Sequence, residues 1–188
     1  SKKTFGEEHP NTVSLLNNLG ALYDDLGDYK KAESFYLQTL KIRERVLGTE
    51  HPEYAISANN LAQLYFKIGN YEKAEPLYLQ AQAIRKQVLG EDHPDYGVVL
   101  NNLALFYSET GNEARAEAMY VQALDICRRV FGEEHVNYAI SLNNLALFYG
   151  DKGDFPKAEE MLKQVLDIYR KTLGELHGNF AQAINNLA

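Results

Sequence analysis

The chain has 188 residues, 45% of them hydrophobic and 24% charged, a balance typical of folded water-soluble proteins. Its formal net charge of −7 argues against a nucleic-acid partner, because phosphates favour clustered lysine and arginine. No apolar run approaches the roughly 20 residues that span a bilayer, no secretory signal peptide is recognised, and a single cysteine excludes an internal disulfide framework. We therefore expect a soluble, cytoplasmic protein without membrane partners.

The strongest pattern is an internal repeat of 42 residues. Histidine recurs at this interval, and so does a pair of asparagines at 17–18, 59–60, 101–102, 143–144 and 185–186. The histidines are His9, His51, His93, His135 and His177. A fixed period between about 20 and 50 residues indicates stacked supersecondary units. We call the equivalent positions of successive repeats a column. A residue that recurs in every repeat usually serves packing, so the columns whose residues vary carry the information about a partner.

The first repeat predicts two helices. Pro10 suits the first position of a helix, because proline lacks an N–H that would have no partner there. Apolar residues at helical spacing extend this helix to about Leu26, and Gly27 ends it. Asp28 is expected to cap a second helix at 29–47. The corresponding caps of the later repeats are Asn70, Asn112 and Asp154.

Four helix pairs and one further helix are predicted, in repeats at about 6–47, 48–89, 90–131 and 132–173 and a partial repeat at 174–188. No strand pattern is present, so we expect one all-α domain, an α-solenoid of antiparallel helix pairs over residues 1–188. Thr4-Phe5-Gly6 aligns with the end of a second helix at 46–48, and the fifth repeat is partial. Because natural arrays carry capping units, we expect a segment of a longer protein.

The spacing within each repeat resembles the tetratricopeptide signature. Leu16, Leu19, Gly20 and Tyr23 carry it, with Ala32 and Tyr36 in the second helix and leucine where the family often has tryptophan. Residues 90–94 and 142–146 are especially similar to the 42-residue repeats of kinesin light chains. The resemblance implies a right-handed α-solenoid. It also implies a non-enzymatic scaffold for protein or peptide binding whose first helices line a concave groove. It also implies that Gly20 and its counterparts allow close helix packing.

No residue pattern indicates an enzyme, a cofactor or a metal site. Each histidine stands alone in a connector, and successive units are separated by at least about 8–10 Å, so we expect these residues only at helix starts. Cys127 shares its column with Arg43, Arg85 and Tyr169 and has no nearby base to activate it. Phosphate-binding loops and zinc-protease motifs are also missing from the sequence.

The asparagine pairs are candidate ligand-binding residues, because asparagine is unfavourable inside helices. At 100° per residue, with Leu19 of the packed face set to 0°, Asn17 lies at about 160° around the helix and Asn18 at about 260°. The first column is therefore expected to point into the groove and to bond an extended peptide backbone, with structural hydrogen bonding as the alternative. It contains Asn17, Asn59, Asn101 and Asn143. The second column is expected to bond mainly to a neighbouring helix or connector, with ligand contact left open. It contributes Asn60, Asn102 and Asn144.

Variable positions on the same helices predict an apolar stripe that forms an interaction site. It consists of Ile56, Phe66, Val98, Leu105, Ile140 and Leu147. The alternative is that the stripe packs against another chain or a missing segment. Lys67 and Lys152 are the few cations of the groove side, which argues for an apolar or mixed peptide over an acidic one.

Two other functions are alternatives to peptide binding. The chain could be a self-assembly module that stacks on another copy through its last helix. In that case Phe180, Ile184 and Leu187 lack a partner helix and would form the contact. The chain could also be a regulatory array attached to an enzyme domain elsewhere.

Overall fold

A computed structural model describes residues 9–187 of the chain. All regular secondary structure in that range is α-helical, which confirms the predicted fold class. The helices are α1 Pro10–Asp25, α2 Tyr29–Leu47, α3 Pro52–Lys67, α4 Tyr71–Leu89, α5 Pro94–Glu109, α6 Glu113–Phe131, α7 Val136–Asp151, α8 Phe155–Thr172 and α9 Gly178–Leu187. The predicted alignment of Thr4-Phe5-Gly6 with a helix end lies outside the described residues.

The chain divides into two compact units at the connector between the second and third repeats. Ser1–Gly90 contains α1 to α4, and Glu91–Ala188 contains α5 to α9. Within each unit, the two helices of a repeat pack together as a hairpin. The second helix of a repeat also packs against the first helix of the next: α2 contacts α3, α6 contacts α7, and α8 contacts α9. The single domain and its handedness stay predictions.

Histidine caps the start of every first helix. Its Nδ1 atom accepts a hydrogen bond from the backbone N–H two residues later, one of the N–H groups that a helix start leaves without an internal partner. These bonds join His9 to Asn11 (3.2 Å), His51 to Glu53 (3.1 Å), His93 to Asp95 (3.1 Å), His135 to Asn137 (3.1 Å) and His177 to Asn179 (3.2 Å). The prediction that the histidines mark helix starts is confirmed.

The turn inside each hairpin needs a glycine and a polar cap. Gly27 has φ +76°, a conformation that only glycine adopts readily. The next residue, Asp28, accepts the N–H of Lys31 at 3.3 Å, and Asn70 and Asp154 cap in the same way. Asn112 is the N-cap residue of α6, as predicted, but its side chain does not accept an N–H, unlike that of Asn70.

Close helix packing inside the hairpins depends on small residues of the first helix. A Cβ on Gly20 would lie 2.7 Å from the ring of Tyr36 on α2. The same position in later repeats is alanine, fully buried at Ala62, Ala104 and Ala146. These observations agree with the expected role of this column.

The packed face of α1 is narrower than its leucine spacing indicates. Leu15, Leu22 and Leu26 are apolar residues at helical spacing, and all three are exposed. The positions in α3 that correspond to Leu15 and Leu22 are Ser57 and Leu64, both buried in a helix that packs against α2. Burial at these positions thus depends on the neighbouring repeat and cannot be read from one helix.

Candidate protein-binding face

Exposed apolar side chains line the first helices of the second unit. Val98 is 56% exposed and Leu105 46% on α5, and Ile140 is 41% and Leu147 39% on α7. Helices α5 and α7 contact each other directly, so the four residues belong to neighbouring helices. We call these four residues the apolar face. They are four of the six apolar residues predicted from the sequence.

The other two predicted apolar residues lie on α3 in the first unit. Ile56 and Phe66 are both half-buried. The ring of Phe66 lies 5.9 Å from the ring of Tyr71, at the start of α4. Phe66 therefore packs partly inside its own hairpin.

The two asparagine columns are bonded to each other between consecutive repeats. In the first unit, Nδ2 of Asn60 donates to Oδ1 of Asn17 at 3.0 Å. In the second unit, Nδ2 of Asn186 donates to Oδ1 of Asn143 at 2.9 Å. Asn60 thus bonds to a neighbouring helix, as expected for the second column. The donors of Asn17 and Asn143 have no partner within residues 9–187, and ligand contact by either column stays a prediction.

Asn101 makes a different contact between first helices. Its Nδ2 atom donates to Oγ of Ser141 on α7 at 3.4 Å, and its Oδ1 atom is buried with no hydrogen-bond partner among the described residues. Asn144 forms no hydrogen bond within residues 9–187, whereas Asn59 and Asn102 are half-buried side chains that take part in further interactions. The hydrogen bonds of the asparagine side chains therefore differ from repeat to repeat.

The column of Arg43 and Cys127 joins a second helix to the next first helix. Buried Arg43 donates to the backbone oxygen of Glu53 (2.8 Å), to Oε2 of Glu53 (2.7 Å) and to Oγ of Ser57 (2.7 Å). Sγ of Cys127 lies 3.2 Å from Oγ of Ser141 in the same arrangement. This column tethers consecutive repeats.

The nearest histidine in sequence to Cys127 has structural contacts of its own. Nδ1 of His135 accepts the N–H of Asn137, and its ring stacks on Phe131 with 4.7 Å between centroids. Within residues 9–187, no cluster of three potential metal ligands is present. None of the helices described is both long and apolar enough to cross a bilayer.

Both lysines predicted on the groove side are engaged by carboxylates. Nζ of Lys67 lies 2.8 Å from Oδ1 of Asp24, a hydrogen bond that raises the pKa of Lys67. Nζ of Lys152 lies 2.8 Å from Oε1 of Glu113. Each ammonium group therefore already has a counter-ion, which weakens its attraction for an acidic partner.

Sequence reasoning missed two acidic residues beside the apolar face. Glu109 and Asp151 end α5 and α7, are exposed, and form no ion pair or hydrogen bond within residues 9–187. The repeat gives only an incomplete signal, since the column of these acids holds Asp25 in the first repeat but Lys67 in the second.

The fold and this face define an all-α repeat scaffold, a class supported by the sequence comparison. The tetratricopeptide repeat family model matches residues 1–45, 25–87, 53–129 and 95–171, so the chain belongs to the tetratricopeptide repeat family. Such repeats generally mediate protein–protein interactions and are generally non-catalytic. No curated protein matches the chain.

Solved structures show the same architecture. BtubC (BKLC) from P. vanneervenii has 29% identity and a TM-score of 0.80, over 94% of this chain and 70% of that one. A putative kinesin light chain of Podosopora anserina with nearly identical TPR-like repeats has 28% identity and a TM-score of 0.78, over 96% and 85%. A single-substitution form of that protein has 26% identity and a TM-score of 0.78, over 97% and 85%. The expected similarity to kinesin light chains is confirmed.

Proposed function

We propose that the chain is a non-enzymatic scaffold that holds an extended segment of a partner protein against its first helices. The observation that carries this proposal is the apolar face, four aliphatic side chains between 39% and 56% exposed on two contacting helices. Single exposed aliphatic residues are normal, but a contiguous group is typical of interaction sites. Burial against a partner would remove these side chains from water and supply affinity.

Amide groups and rigidity add to the apolar contribution. Asn17 and Asn143 have Nδ2 donors without a partner in the described residues, and an extended backbone offers carbonyl acceptors. The bonds Asn186–Asn143 and Asn101–Ser141 hold first helices together before any ligand arrives. A preorganised surface loses little entropy on binding, which favours affinity.

A peptide selection with matched variants tests the proposal. Peptides selected from a random displayed library on the immobilised chain are measured against Leu105→Ser/Leu147→Ser. The control, Val121→Ser/Val130→Ser, removes side chains of 46% and 45% exposure from α6, a second helix of the same unit. We expect the first variant to lose about 10-fold or more in affinity, since two buried leucines contribute well over 1.4 kcal/mol. The control should change affinity less than twofold, and equal losses would contradict the proposal.

Self-association is a second candidate, favoured by the surface of α9. Ile184 is exposed, although the matching residues Leu100 and Leu142 are buried in α5 and α7. Phe180 is buried in the core cluster of its unit, so the predicted contact set is smaller than the sequence indicated. Light scattering across a concentration series, with Ile184→Ser as the variant, tests this candidate. A mass that stays monomeric at high concentration would contradict it.

A further inference from the structure

We propose that the apolar face of the second unit binds a segment that combines apolar side chains with lysine or arginine. The proposal rests on the proposed function and specifies the chemistry of the partner. The acidic edge of the face, formed by Glu109 and Asp151, would contact the cations. The apolar face itself would take the aliphatic side chains.

The two carboxylates stand next to the exposed leucines. Glu109 follows Leu105 by four residues on α5, and Asp151 follows Leu147 by four residues on α7. Residues four apart on a helix are surface neighbours. Each leucine of the face therefore has an acid one turn away, in the same direction along its helix.

The two carboxylates stand at the ends of neighbouring helices. Glu109 and Asp151 are the last residues of α5 and α7, which contact each other, and the charges of both act on the hydroxyl of Tyr120. Burial is the main cause that raises the pKa of Tyr120, and the negative charges of Asp151 and then Glu109 raise it further. The two acids thus form a single negative edge.

No cation of the second unit neutralises this edge. Helices α5, α7 and α9 contain no lysine or arginine. The nearest cations that follow α5 and α7 in the chain, Arg115 in α6, Lys152 directly after α7 and Lys157 in α8, have other contacts. Lys152 pairs with Glu113, Lys157 lies 3.6 Å from the ring centroid of Tyr149, and Arg115 lies 5.3 Å from that of Tyr107. The carboxylates of Glu109 and Asp151 remain available to a partner.

We expect the acidic edge to favour apolar segments that carry lysine or arginine. The edge by itself supplies too little free energy for binding. An exposed carboxylate–ammonium pair contributes roughly 0.2–1 kcal/mol, so two pairs change affinity by about 2- to 30-fold. An acidic segment would be repelled by the same two charges. The apolar side chains supply the remaining affinity.

Three synthetic peptides of equal length test the charge preference. All carry leucine at the same alternating positions, and the positions between are lysine, glutamine or glutamate. Fluorescence anisotropy at low salt should show the lysine peptide binding about 2- to 30-fold more tightly than the glutamine peptide, with the glutamate peptide weakest. Added salt should reduce the preference, because exposed charges are screened.

A matched pair of variants assigns the preference to the edge. Glu109→Gln/Asp151→Asn should bind the lysine and glutamine peptides about equally. Glu133→Gln/Glu160→Gln removes the same net charge at exposed positions outside the face and should keep the preference.

Several results would overturn the inference: equal affinity for the lysine and glutamine peptides, a preference that survives in the edge variant, or no binding of the lysine peptide. If the glutamine peptide binds equally well and is lost in Leu105→Ser/Leu147→Ser, the proposed function stands and only the charge preference fails. If that leucine variant binds every peptide as the parent does, the proposed function fails as well.

Discussion

The side chain of Asn60 donates from Nδ2 to Oδ1 of Asn17 at 3.0 Å, although the two residues are 43 positions apart. The bond joins the first helices of consecutive repeats in the first unit. Asn186 and Asn143 repeat it in the second unit at 2.9 Å. An amide that is unfavourable within its own helix is therefore used to hold the neighbouring one.

The Asn17–Asn60 bond should be measurable as a coupling energy. In a double-mutant cycle of Asn17→Ala and Asn60→Ala, we expect a coupling of about 0.5–1.5 kcal/mol, the usual net value of one hydrogen bond. Urea unfolding of the four proteins measures it. Asn18→Ala is the control: Asn18 is exposed and has no hydrogen bond within residues 9–187, so alanine should slightly stabilise the helix. Additive effects in the cycle would show that the bond contributes nothing.

Two glycines should respond to alanine in opposite directions. Gly97 lies within α5, where a new Cβ would lie 3.7 Å from Cγ2 of Ile126, an ordinary contact. Gly97→Ala should therefore stabilise the protein by about 1 kcal/mol. Gly111 has φ +82°, so Gly111→Ala should destabilise it by about 1–2 kcal/mol. Thermal unfolding of both variants checks the signs, and a destabilised Gly97→Ala would contradict the packing described for α5.

The hairpin caps should differ in strength although both are asparagines. Asn70 accepts the N–H of Lys73 at 3.3 Å, whereas Asn112 makes no side-chain cap bond. Asn70→Ala should cost about 0.5–2 kcal/mol of unfolding free energy, and Asn112→Ala clearly less. The urea midpoints of the two variants are measured and compared with that of the parent protein. Equal losses would mean that Asn112 caps its helix in solution.

Alkaline pH should destabilise the fold through its buried tyrosines. Burial raises the pKa of Tyr36 to about 12 and also raises those of Tyr78 and Tyr120. Because folding favours the neutral phenol, this contribution is complete below pH 10, the unfolded pKa, and is lost as pH rises through about 12.

Urea midpoints between pH 9 and 12 should therefore fall less steeply for Tyr36→Phe than for the parent, since phenylalanine has no proton to lose. A Tyr→Phe change at Tyr29, which is exposed, is the control and should leave the slope unaltered. Parallel curves for all three proteins would show that Tyr36 does not contribute to the loss of stability at alkaline pH.

Most of the fold was predictable because its determinants are local and recur four times. The predicted second helix at 29–47 agrees with α2, and the histidine starts and glycine ends hold in every repeat. A cap involves residues two or three apart, so its signal lies within one short segment. At Asn112 the residue type identified the cap position but not the absence of the side-chain hydrogen bond.

The candidate site was predictable only in part. The angular positions of the columns around the first helices placed four apolar residues on an exposed face, and the structure has them exposed: Val98, Leu105, Ile140 and Leu147. It did not find that Lys67 and Lys152 are engaged by carboxylates, because their partners belong to other helices. It also overlooked the acidic edge, since Glu109 and Asp151 are ordinary surface residues until the two helices lie side by side.

The sequence alone determined the repeat, the helix bounds and the family, since each follows from spacing within a few tens of residues. The tertiary structure decided which polar groups are engaged and which stay available to a partner. Asn60 reaches Asn17, and Arg43 reaches Ser57, only because successive hairpins pack together. Side-chain pairing between repeats depends on distances that one-dimensional spacing does not contain.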